Sequence, residues 1–180
     1  DNNVHNVMIY QSMSGDAESG TSTFTMKGGT LTGRNGDQIY VTNTHSVITL
    51  EDVTITNQDS SGRLLAILGN DATRGWGTAG ANGGQVDLTT TNQTLTGAIE
   101  VDTVSTLNFT MGKGTNFTGT INIVKNAEGG TAVDNNAVIT VEEGATWTLT
   151  GNVTITSLEN KGTINFNGYT ITLVDGTVLK

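Results

Sequence analysis

The chain has 180 residues and 18.7 kDa, enough for one domain with a buried core. Thr (34), Gly (24) and Asn (19) fill 77 positions, Pro and Cys are absent, and the formal net charge is −9. These three residue types make poor helix interiors, so a helical bundle is excluded, as is a doubly wound nucleotide fold with its helix after nearly every strand. The acidic balance repels phosphate backbones and anionic lipid, which argues against nucleic acid as a partner. No run of about 18 apolar residues occurs, so no membrane insertion by a helix is expected. Without Cys there is neither a disulfide framework nor a thiolate nucleophile. The opening Asp1-Asn2-Asn3 reads as a processed or excised start.

Alternation of apolar and polar residues runs from one end to the other, the mark of half-buried strands. In chain order the runs come in pairs across a polar or glycine turn. They are Phe24–Met26 with Leu31–Gly33, Ile48–Leu50 with Val53–Ile55, and Val86–Leu88 with Leu95–Gly97. Next come Leu107–Phe109 with Phe117–Gly119, Ile139–Val141 with Trp147–Leu149, and Ile164–Phe166 with Ile171–Leu173. A third short run falls between most pairs: Ile39–Val41, Leu64–Leu68, Ile99–Val101, Ile121–Val124 and Val153–Ile155. Three short strands in each repeat of about 20 to 25 residues predict a β-solenoid. Two longer spacings predict loop insertions near 57–84 and 124–137, both rich in Gly, Asn, Asp and Ala. A β-sandwich is the competing all-β arrangement, but the Asn-Gly and Asp-Gly turns of tight hairpins are few (Asn35-Gly36, Asn167-Gly168, Asp175-Gly176).

Several stretches together resemble a known group of proteins. They are Val7-Met8-Ile9-Tyr10-Gln11-Ser12-Met13-Ser14-Gly15-Asp16-Ala17-Glu18, Phe24-Thr25-Met26 with Gly28–Thr32, and Ile39–Thr44. Gly80-Ala81-Asn82-Gly83-Gly84 and Gln93–Gly97 belong with them. The likeness is to the C-terminal part of adhesin-like bacterial surface proteins with right-handed β-helices of the pectate-lyase-like superfamily. The resemblance implies an all-β, single-stranded right-handed parallel β-helix over residues 1–180, three short strands per coil, as part of a longer or stacked solenoid. It also implies a secreted, extracellular location at the cell surface.

Little in the sequence points to chemistry. The close acidic pairs Glu51-Asp52 and Glu142-Glu143 point to opposite faces of a strand, so neither is a carboxylate dyad. His5 and His45 lie in no metal-binding spacing, and Ser12, Ser14 and Ser19 lack a nucleophile elbow. Gly75-Trp76-Gly77-Thr78-Ala79-Gly80 fits the dinucleotide pattern formally, yet no helix can start at Ala81-Asn82-Gly83-Gly84 to hold a pyrophosphate. No catalytic constellation is visible, and a non-enzyme is expected. Trp76, beside Arg74 in the longer insertion, offers a ring for the apolar face of a sugar, set against a plainer role as a lid on the core edge. Trp147, in phase with Leu149, points inward.

No cofactor is expected. Calcium is the one candidate ion, through Asp16 and Glu18, Glu100 and Asp102, or Asp134 with Asn135 and Asn136, although no dedicated calcium repeat occurs. Recurrent Thr-x-Thr triplets, such as Thr54-Ile55-Thr56 and Thr94-Leu95-Thr96, predict outward threonine ladders. The expected function is a structural or adhesive module that self-associates through its solenoid ends, into filaments if contacts repeat, and meets a glycan or a host or neighbour-cell ligand. The alternatives are a carbohydrate-binding module or degenerate lyase and, third, an ice-binding threonine ladder.

Overall fold

A computed structural model of the chain describes residues 4–11, 20–70 and 77–180. Among the described residues there is no helix. The strands are β1 (His5–Tyr10), β2 (Thr21–Lys27), β3 (Thr30–Gly33), β4 (Asp37–Thr42), β5 (His45–Glu51) and β6 (Thr54–Asn57). Then come β7 (Leu65–Ile67), β8 (Gln85–Thr91), β9 (Thr94–Asp102), β10 (Thr106–Met111), β11 (Asn116–Val124) and β12 (Ala137–Val141). The last are β13 (Thr146–Leu149), β14 (Val153–Ile155), β15 (Ser157–Asn160), β16 (Thr163–Asn165), β17 (Ile171–Leu173) and β18 (Val178–Leu179).

Among the described residues every ladder is parallel except the last, where β18 folds back on β17. One sheet runs β2, β5, β8, β10, β12, β15, and a larger one runs β1, β4, β7, β9, β11, β14, β17, β18. A third strip consists of β3 with β6 and, separately, the first halves of β9 and β11 with β13 and β16. Early in the chain, pairing strands lie three apart in order. At β9 and β11 they lie two apart, because one nine-residue strand spans what the sequence pattern predicts as two. Gly97 (φ 125°) lets β9 bend at that corner without breaking.

Register turns the alternation of the sequence into columns. Phe24, Ile48, Leu88, Phe109, Ile139 and Leu158 align across one sheet. Ile39, Leu65, Ile99 and Ile121 align across the second, and Leu95, Phe117, Trp147 and Ile164 along the third strip. The three columns meet in one hydrophobic cluster. Each fully buried Leu, Ile or Phe contributes about 1.5–3 kcal/mol, and parallel sheets require such cover. Trp147 is fully buried, stacked on Phe117 at 5.8 Å, and its indole N–H donates to the Gly119 carbonyl at 3.1 Å. Its inward reading holds.

The corners carry the asparagines. Asn43, Asn82, Asn92, Asn135 and Asn167 all have positive φ, which Asn tolerates better than most residues. Asn43 and Asn82 sit at the turns into β5 and β8, and the Asn82 amide donates to Asn43 Oδ1 at 3.3 Å. The predicted insertion at 57–84 is interrupted by β7, which leaves a loop after Ile67. The second loop, between Val124 and Ala137, packs against the first, and Gly80 and Gly130 meet backbone to backbone.

Candidate functional site

The outer faces of the sheets differ in chemistry. On the β2–β15 sheet, Thr25, Thr49, Thr89, Thr110 and Thr140 form one outward column in register. The third strip adds Thr30 and Thr32, Thr54 and Thr56, Thr94 and Thr96, and Thr146 and Thr148. These are the ladders expected from the Thr-x-Thr triplets. A polar chain crosses the same sheet at its edge: Thr21 Oγ1 lies 3.3 Å from His45 Nδ1, and His45 Nε2 lies 2.7 Å from Asp87 Oδ2. Asn108 donates to Asp87 Oδ1 at 3.0 Å. The hydrogen bond from His45, then that from Asn108, holds the Asp87 carboxyl below its ordinary range.

The larger sheet carries an ionic cluster instead. It is built from a turn that the sequence encodes locally. After β6, Asp59 accepts the Ser61 hydroxyl at 2.6 Å and the Ser61 N–H at 2.9 Å through Oδ1, and the Gly36 N–H at 2.8 Å through Oδ2. These bonds, that from the Ser61 hydroxyl foremost, lower its pKa to about 2. The turn delivers Arg63 beside Asp37. Arg63 Nε donates to Asp37 Oδ1 at 2.7 Å and Nη2 to Oδ2 at 2.8 Å, a bidentate pair, while Nη1 reaches Glu100 Oε2 at 2.7 Å. The hydrogen bonding of Arg63 to Asp37 outweighs burial and raises the guanidinium above its ordinary value. His5 Nδ1 lies 3.1 Å from Asp37 Oδ2, and the imidazole stacks on Tyr40 at 4.1 Å between ring centres.

Val4, His5, Gly36, Asp37, Ser61, Gly62, Arg63 and Glu100 line an open cavity of about 450 Å³. A second, of about 190 Å³, adjoins it through Arg63 and Glu100 and continues over Asp102, Lys125 and Asn126. The two cavities flank the Arg63–Glu100 pair, the first at the start of β4 and β7 and the second at the ends of β7, β9 and β11.

The residues singled out from sequence fare differently. Trp76 and Arg74 lie outside the described residues, as do Asp16 and Glu18. Glu100 is bound by Arg63. Asp102 is 1 % exposed, and its Oδ2 accepts the Gly69 N–H at 2.7 Å and the Asn126 amide at 2.6 Å. It pins the two loops together. Asp134 stands exposed in the second loop, and no group of three or more potential metal ligands is brought together among the described residues. The Arg63 cluster escaped the sequence reading, because only register shows that His5 stands opposite Asp37 and that Leu65 stands opposite Ile39 and Ile99.

No family model, curated protein or solved structure matches the chain.

Proposed function

We propose that the chain is a single-stranded right-handed parallel β-helix, three short strands per coil, that serves as a structural and adhesive module. It would belong to a secreted or cell-surface bacterial protein, in line with the sequence resemblance to adhesin-like proteins of the pectate-lyase-like superfamily. The observation that carries this reading is the return of the chain to each strip in parallel register, column upon column, with little but Thr and Asn along the outside of the third strip. Such a body holds its shape through a continuous backbone ladder and presents long faces to a partner. The reading is non-catalytic: Asp37 and Glu100 are engaged by Arg63, and Asp102 by loop amides.

Self-association belongs to the same reading. Among the described residues, β1, β2 and β3 each have a ladder partner on one side only, and Val7, Ile9, Phe24, Met26 and Leu31 are only partly buried there. An edge of this kind pairs readily with another chain.

Two measurements test the proposal. Protease shaving of intact producing cells releases peptides of this chain if it is displayed outside, and protection until lysis overturns the location. Cells of a non-adherent strain that display the chain gain attachment to epithelial or neighbouring bacterial surfaces. Equal attachment with and without display overturns the adhesive role.

A further inference from the structure

The third strip is interrupted between β6 and β9. β6 pairs with β3 and β9 pairs with β11, but no ladder joins β6 to β9. Between them lies an open cleft of about 320 Å³, walled by Thr54 and Ile55 on one side and by Thr94 and Thr96 on the other. At one end its width is marked by the Gln93 amide, which bonds the Val53 backbone and the Thr94 carbonyl together. One planar amide fits between the two backbones there, as the peptide group of one further strand would.

Backbone direction makes both walls open edges. The Thr54 N–H donates to Gly29 on the β3 side and the Val53 groups face Gln93, so by alternation the N–H and C=O of Ile55 point into the cleft. On β9 the Gln93 carbonyl accepts the Asn116 N–H on the β11 side and the Thr94 carbonyl faces the cleft. The backbone groups of Thr96 therefore point there too. Packing agrees with this. Leu95 is fully buried, whereas Ile55, the apolar residue across the cleft, is only partly buried. A small void of about 10 Å³ lies between the same two levels, lined by Leu50 and Leu64 from one and Leu88 and Leu95 from the other. Charge is one-signed at the mouth: Asp52 lines it and is exposed, whereas Lys27, on the far side of β6, is bound to Glu51 at 2.9 Å.

We propose that this cleft accepts an extended segment of another protein as an inserted parallel strand, polar–apolar–polar in pattern and with a basic residue at its N-terminal end. The central apolar residue covers Ile55, donates its N–H to the Thr94 carbonyl and accepts the Thr96 N–H, while its two neighbours pair with Ile55. The basic residue meets Asp52. β3 supplies the template on the opposite edge of β6, where Lys27 precedes Thr30-Leu31-Thr32. The site is lateral, apart from the extremities invoked for self-association, and does not depend on the adhesive role.

The test is an NMR titration of the 180-residue chain with a capped synthetic peptide of the sequence Lys27–Gly33. Saturable shifts of the Ile55 and Thr96 amides are expected, with slowed hydrogen exchange at both. N-methylation of the peptide at its leucine and at the threonine that follows removes two donors and should weaken binding about tenfold. Replacement of its lysine by glutamate should weaken binding about threefold, and Asp52→Asn should erase that preference. Asn tolerates the positive φ of 53° at this position, so the variant keeps its fold. No shift of the two amides at millimolar peptide overturns the inference, as does equal binding of the N-methylated peptide. Equal binding of the glutamate peptide overturns the basic requirement. Shifts confined to β1–β3 or to β15 and β16 place the peptide at the extremities and overturn the site. Concentration-dependent shifts of Ile55 and Thr96 without peptide make a second copy the occupant and overturn the foreign partner.

Discussion

The side chain of Gln93 pairs with the backbone of Val53 as a neighbouring strand would. Its Oε1 accepts the Val53 N–H at 3.0 Å, and its Nε2 donates to the Val53 carbonyl at 2.7 Å and to the Thr94 carbonyl at 2.9 Å. The site lies where β6 and β9 share no ladder and leave a cleft of about 320 Å³ lined by Thr54, Asn92, Thr94 and Thr96. Gln93 is 1 % exposed, so the amide stands in for the missing backbone pairing inside the protein. Gln93→Ala leaves both Val53 groups without their partner and should cost about 2–4 kcal/mol. Gln93→Leu, which keeps the volume, should lose nearly as much. Urea unfolding checks both, and a loss under about 1 kcal/mol in the leucine variant would show that packing rather than pairing holds the cleft.

Gly119 and Gly168 separate close approach from backbone conformation. A Cβ on Gly119 would lie 1.9 Å from the Gly97 carbonyl oxygen, a backbone atom of the adjacent strand. Gly168 has φ +83° but nothing near its Cβ position. Gly119→Ala should therefore destabilise by about 3 kcal/mol through overpacking. Gly168→Ala should cost only about 1–2 kcal/mol through its left-handed backbone. Thermal melts of the two variants test the ranking, and the reverse order contradicts it.

Trp147 combines a packing role with a polar one. Trp147→Phe keeps a ring against Phe117 but orphans the Gly119 carbonyl in the core, at a cost of about 1–3 kcal/mol. Trp147→Ala also opens a cavity and should cost about 3–5 kcal/mol. Equal losses in the two variants, measured by denaturant midpoint, would deny the indole N–H its part.

Acid should weaken the fold in a predictable window. Asp59 is lowered from 3.8 to about 2, and Asp87 and Asp175 are lowered as well, Asp175 chiefly by the N–H of Thr177. A carboxyl with a depressed folded-state pKa binds fewer protons folded than unfolded. Its contribution is therefore present above the unfolded value near 3.8 and is lost as pH falls through the folded one. The melting temperature should decline steadily between about pH 4 and pH 2, and Asp59→Asn should flatten part of that decline. An unchanged pH profile in this variant would mean that the turn carrying Arg63 does not depend on the charge of Asp59.

Much of the fold was legible in the residues, because strand alternation is local. Phe24-Thr25-Met26 or Ile139-Thr140-Val141 announces its buried face without any knowledge of partners. The asparagines of the two predicted insertions were legible as loop residues, and Asn82 and Asn135 there have the positive φ that such turns demand. The bend at Gly97 was not: the apolar runs on either side of it read as two strands, and only the continuous ladder to β11 shows one. The Arg63 cluster was not legible either. Asp37, Arg63 and Glu100 are separated by 26 and 37 residues, and nothing local ties them together. In the sequence Glu100 and Asp102 read as candidate calcium donors, and nothing marks Arg63 among the eight cations. Register alone assembles them.

The fold-back of β18 onto β17 gives the molecule a direction. Thr172 faces Val178 and Ile171 faces Leu179, in the one antiparallel ladder of the described strands. The flank of β17 that a further parallel rung would need is thereby occupied, whereas the flanks of β1, β2 and β3 at the other extremity have no ladder partner among the described residues. At the hairpin's own extremity β15 and β16 each have a ladder partner on one side only among the described residues. The hairpin closes one strip at this extremity and leaves the edges of the other two open to pairing.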